Sequence, residues 1–62
     1  MFTVVYKNGN FDFMYGFRDL VFYLLDNFPH MQLCTFLSIC RWANVDDDYS
    51  SFSCKTFYIT KE

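Results

Sequence analysis

The amino-acid sequence predicts an α+β domain: a small two-layer sandwich of order β-β-α-α-β, with two helices covering a three-stranded antiparallel sheet. Three observations predict it. Asn8-Gly9 separates two alternating apolar runs, the apolar period becomes helical at Phe17, and alternation returns from Phe52 to Thr60. Nine Phe, five Tyr and one Trp among 62 residues carry much of that pattern. Aromatic side chains give a short chain its largest burial per residue.

The first element is a hairpin. Asn-Gly suits a two-residue type I′ loop, whose central residues both take positive φ. With Asn8 and Gly9 as that loop, Lys7 faces Asn10 and pairing runs outward through Tyr6/Phe11, Val5/Asp12, Val4/Phe13, Thr3/Met14 and Phe2/Tyr15. Opposed residues share a face. One face then collects Phe2, Val4, Tyr6, Phe11, Phe13 and Tyr15, and that aromatic face is the expected core.

Gly16 marks the exit from the second strand. Phe17, Leu20, Val21, Leu24, Leu25 and Phe28 then follow helical spacing, with Asp19 near the positive end of the helix dipole. Pro29 disfavours helical geometry at Phe28, so the first helix ends near Asn27. Pro29 opens a second helix that runs to about Ala43, with Leu33, Phe36, Leu37, Cys40 and Ala43 on its apolar face and Asn44 as its stop. Asp46 to Ser51 reads as a polar loop. The third strand, Phe52 to Thr60, has apolar residues on both faces (Phe52, Cys54 and Tyr58 on one, Phe57 and Ile59 on the other), so alternation does not choose between them. The hairpin strand it joins is open as well.

Size and composition bound the function. The chain reads as one domain, residues 1–62, too short to be robust without dense packing or self-association. A net charge of -2 argues against a general nucleic-acid binder and is too small for a whole-protein imitation of nucleic acid. Cys34, Cys40 and Cys54 cannot all pair within one chain, which fits reduced thiols in a cytoplasmic protein. No basic segment precedes an apolar run at Met1, and no stretch has the length of a membrane span. No cofactor is expected.

Four features hold candidate chemistry. His30 and Cys34, at i and i+4, would share one helix flank, a spacing that serves a metal or an activated thiolate if Cys54 or an aspartate completes the set. Asp46, Asp47 and Asp48 offer an acidic contact loop but lack the glycine and terminal glutamate of an EF-hand. Aromatics on a sheet can stack single-stranded bases, although no basic flank accompanies them here. The fourth feature is a surplus of large side chains outside the helical stripes. Phe22 and Tyr23, flanked by Asp19 and Asp26, and Met31 and Trp42 on the second helix all point away from the expected core. Clustered exposed apolar area marks contact sites, and these residue types are enriched at interface centres.

The expected function is therefore a non-enzymatic protein-binding module, an inhibitor or regulator of a larger cellular protein. Phe22, Tyr23, Met31 and Trp42 are its expected anchors and Asp19 and Asp26 its rim. Small modulators from phages and other mobile elements share this size and style, a likeness that does not establish function. A homo-oligomer using the same aromatic surface is the alternative, and a protein acting through Cys34 and His30 the third class. Neither a membrane nor direct nucleic-acid contact is expected.

Overall fold

The first hairpin closes through a three-residue loop, and this sets the rest of the sheet. In the computed structural model, which describes residues 1–44 and 50–62, strand β1 (Phe2–Tyr6) leads through Lys7-Asn8-Gly9 to β2 (Phe11–Met14). The Gly9 N–H donates to the Tyr6 carbonyl at 3.0 Å, and the Tyr6 N–H donates to the Asn10 carbonyl at 2.7 Å. Within this loop only Gly9 has positive φ, at 94°. A type I′ turn needs two such residues, whereas a three-residue loop with one glycine in the left-handed region needs one. Asn8 uses its Oδ1 to accept from the Asn10 N–H at 3.0 Å.

The extra loop residue overturns the expected register. Phe2 faces Met14, Thr3 faces Phe13, Val4 faces Asp12 and Val5 faces Phe11. A one-residue slip turns the strand over. Met14 is therefore buried, while Phe11 and Phe13 stand on the opposite face and are exposed.

The segment expected as one strand from Phe52 to Thr60 is two. Strand β3 (Ser51–Ser53) turns at Lys55-Thr56 into β4 (Phe57–Lys61), with the Cys54 N–H donating to the Phe57 carbonyl at 2.8 Å. This explains the two apolar faces. Phe52 opposes Ile59 across the hairpin, so residues of opposite parity along the chain meet on one side of the sheet. The sheet has four strands in the order β2-β1-β4-β3, all pairs antiparallel. β4 lies inside, pairing Phe2 with Lys61, Val4 with Ile59 and Tyr6 with Phe57.

Both helices cover one face. Helix α1 (Phe17–Asn27) follows Gly16 and buries Leu20 and Leu24. The Met31 N–H donates to the Phe28 carbonyl at 3.1 Å, closing a turn with Pro29 second in it, where its fixed φ fits. Helix α2 (Leu33–Asn44) therefore starts four residues later than expected, and His30 precedes it.

The buried face of α2 also differs from the expected stripe. Ile39 and Trp42 are buried, Phe36 and Ala43 pack against them, and Leu33 and Leu37 are exposed. The four-stranded sheet supplies the reason. Trp42 meets Phe2 edge-on at 6.1 Å between ring centroids and Phe52 on β3 at 5.8 Å. A three-stranded sheet has no β3 to receive that indole. The Lys61 ammonium lies 4.9 Å from the Trp42 ring centroid and donates to the Trp42 carbonyl at 3.0 Å. It thereby satisfies a C-terminal helix carbonyl with a favourable charge. Phe2, Val4, Met14, Leu20, Leu24, Ile39, Trp42, Phe57 and Ile59 form one buried cluster.

Candidate functional site

The expected anchor residues separate into three environments. Phe22 is 58% exposed on α1, one turn after Asp19 and one turn before Asp26, both also exposed. Leu25, three residues beyond Phe22, is exposed beside it. These four residues form a ridge with an apolar centre and acidic ends. Leu33 and Leu37 add exposed apolar surface from α2.

Tyr23 belongs to a polar tie. Its hydroxyl donates to Asp12 Oδ2 at 2.8 Å and contacts the Tyr6 hydroxyl closely. Because the Tyr23 proton points to the carboxylate, the Tyr6 hydroxyl is the donor in the second contact. Burial first, then the hydrogen bonds to Tyr6 and Asp12, raise the Tyr23 hydroxyl above the usual phenol range. The phenol stays neutral and structural, linking α1 to β1 and β2. The slipped register made this possible, because it turned Asp12 toward the helices.

Trp42 and Met31 do not stand out on the surface. Trp42 is 4% exposed in the core, and Met31 is partly buried against it. The expectation of an exposed Trp42 fails because the helical stripe was assigned without Ile39.

An open groove of about 910 Å³ lies between the α1–α2 connection, the first half of α2 and the β3–β4 hairpin. Phe28 and Phe57 stack at 4.6 Å at its floor, and His30, Cys34 and Cys54 all reach its lining. The helical His30–Cys34 pair is absent, since His30 sits in the turn before α2. Among the described residues no three His, Cys, Asp or Glu side chains gather closely enough to hold a metal. The Cys34 thiol is exposed and donates weakly to Gln32 Oε1 at 3.7 Å. Burial raises the Cys40 and Cys54 thiols, which disfavours their reactive thiolate form. Asp46, Asp47 and Asp48 lie outside the described residues.

The outer face of the sheet is a surface that the sequence reading missed. Two cross-strand rows build it: Phe11, Val5, Tyr58 and Ser53 in one, Phe13, Thr3, Thr60 and Ser51 in the other. Phe11 and Phe13 are each 56% exposed and meet edge-on at 5.3 Å, while Tyr58 is 43% exposed. The expected register put the two phenylalanines in the core and hid this face. The run of Ser, Thr and Tyr at alternate positions 51, 53, 58 and 60 was the signal available for it.

Among the described residues no helix is long and apolar enough to cross a membrane. No protein-family model, curated protein or solved structure matches the chain.

Proposed function

We propose that this domain is a non-enzymatic protein-binding module, an inhibitor or regulator that occupies a surface of a larger protein in the cytoplasm. The observation that carries this reading is the α1 ridge, where Phe22 and Leu25 remain exposed between Asp19 and Asp26. A large apolar side chain at the centre and charges at the rim are the usual anatomy of a contact site. Leu33 and Leu37 on α2 are exposed as well. The acidic ends favour a partner with basic residues around an apolar pocket, because such charges steer approach and select partners. Free thiols at all three cysteines suit a reducing compartment. The size and exposed aromatic surface fit the phage or mobile-element type of modulator, an analogy of style.

The experiment is capture of a partner from extract of the native cell, with tagged wild type beside a Phe22→Ala/Leu25→Ala variant. Both side chains are exposed, so the variant is expected to keep its fold by circular dichroism. A heterologous protein held at equal stoichiometry by wild type and released by the folded variant supports the reading. Equal capture by both removes the ridge from the contact.

A further inference from the structure

We propose that the outer face of the sheet binds a second copy of this chain, face to face about a two-fold axis. This surface lies on the opposite side of the sheet from the helix ridge, so the two contacts are independent.

Charge is the first argument. The eight outward strand positions are Thr3, Val5, Phe11, Phe13, Ser51, Ser53, Tyr58 and Thr60, and none is ionisable near neutral pH. A solvated sheet face ordinarily carries polar side chains in alternation with the core positions, and here the β1 and β2 positions Val5, Phe11 and Phe13 break that pattern. At these eight positions two copies, each with a net charge of -2, meet without like charges in contact; the Met1 ammonium and Glu62 lie together at one end of the two central strands. A neutral face also offers nothing to the phosphates of single-stranded nucleic acid, which stacking platforms pair with a positive groove.

Shape is the second argument. The face is bulky at one edge, where Phe11 and Phe13 stand on β2, and shallow at the other, where Ser51 and Ser53 lie on β3, with Tyr58 and Thr60 beside them on β4. In an isologous contact each patch meets its complement twice. A two-fold axis near β1 and β4 sets the phenylalanine ridge of each copy in the shallow half of its partner. Packed sheets stand about 10 Å apart, a gap that such interdigitated side chains fill.

Area is the third. Taking roughly 200 Å² for an aromatic side chain, the exposed fractions of Phe11, Phe13 and Tyr58 amount to about 300 Å². Tyr15, two residues past Phe13 and 83% exposed, brings the sum to about 480 Å². Two copies thus withdraw about 950 Å² of ring surface, before Val5 and the hydroxyl-bearing positions are added. With those positions the contact approaches the ~1,000 Å² that a specific interface needs.

The test is the oligomeric state of the full chain by light scattering and sedimentation over about a hundredfold concentration range. Wild type is expected to be a dimer whose thermal stability rises with concentration. Tyr58→Lys, on β4 near the axis, brings two like charges together, and Phe13→Lys, on β2, presses a charge into the partner's uncharged half; each should weaken the dimer about 100-fold while leaving the monomer folded. Phe22→Lys, on the helix ridge, should leave the dimer intact. If neither lysine variant folds, Tyr58→Thr, compatible with a strand and smaller than the ring it replaces, should still weaken association at least about tenfold. A monomeric wild type overturns the proposal, whatever else the face binds. A dimer that persists in folded outer-face variants, or is lost only with Phe22→Lys, overturns it in favour of edge pairing through β2 or of the helix surface.

Discussion

The Tyr23 hydroxyl on α1 donates to the Asp12 carboxylate on β2 at 2.8 Å, fastening the first helix to an edge strand. Tyr6 on β1 completes the tie through the same hydroxyl. Tyr23→Phe should remove both contacts while keeping the ring. A loss of about 1 kcal/mol in urea unfolding is expected, with Asp12→Asn retaining part of the effect.

The same tie predicts an alkaline limit. The Tyr23 hydroxyl is raised above its ordinary value of 10.0 by burial and by its partners, so the folded state holds the proton more tightly than the unfolded chain. Its contribution is fully present below pH 10 and is lost as pH rises beyond that. Thermal unfolding followed from pH 8 upward should show a decline starting near pH 10. Tyr23→Phe should flatten that decline, and an unchanged decline would show that Tyr23 does not cause it.

Gly9 offers a cleaner backbone test. Its φ is 94°, and a Cβ placed there meets no atom within 4 Å. The cost of Gly9→Ala is therefore conformational, about 1–2 kcal/mol. Gly9→Asn should cost less, because asparagine tolerates the left-handed region. Equal losses for both, measured by denaturant unfolding, would contradict the loop geometry.

Core and surface should separate sharply in the second layer. Trp42→Ala removes a buried ring and should cost about 3–5 kcal/mol, enough to unfold much of a domain this small. Phe22→Ala should change stability by less than about 0.5 kcal/mol. Comparable effects of the two, read from thermal melts, would refute the helix orientation.

The thiols should rank by environment. Cys34 is exposed, whereas burial raises Cys40 and Cys54. Limited alkylation near neutral pH, read by mass spectrometry, should modify Cys34 first. Early modification of Cys54 would show that the groove opens further than this packing allows.

The hairpin's position and the span of α1 were legible in the sequence, because Asn8-Gly9 and the Phe17–Phe28 spacing are strong local signals. The hairpin register was not. Two loop lengths fit the same dipeptide, and the choice rests on Met14 filling the core and Asp12 meeting Tyr23, both tertiary events. The division of the last segment was hidden for a related reason. Its turn at Lys55-Thr56 contains neither glycine nor proline, so nothing local punctuates it. Of the candidate contact residues, exposed Phe22, Asp19 and Asp26 lie where helical spacing puts them. Trp42 does not, because its neighbour Phe52 sits on a strand separate from Phe57 to Lys61, a division that spacing did not reveal.

The pairing of β1 with β4 has a kinetic consequence. The middle of the sheet joins Phe2 to Lys61, across nearly the whole chain, and the Glu62 N–H donates to the Met1 carbonyl beside them. The first hairpin and both helices can form from nearby residues, but the two interior strands meet only after a long loop closes. High contact order of this kind slows folding for a domain of given size. During synthesis the hairpin must wait with its inner edge unpaired until Phe57 to Lys61 emerge, a period in which a stray strand can bind instead.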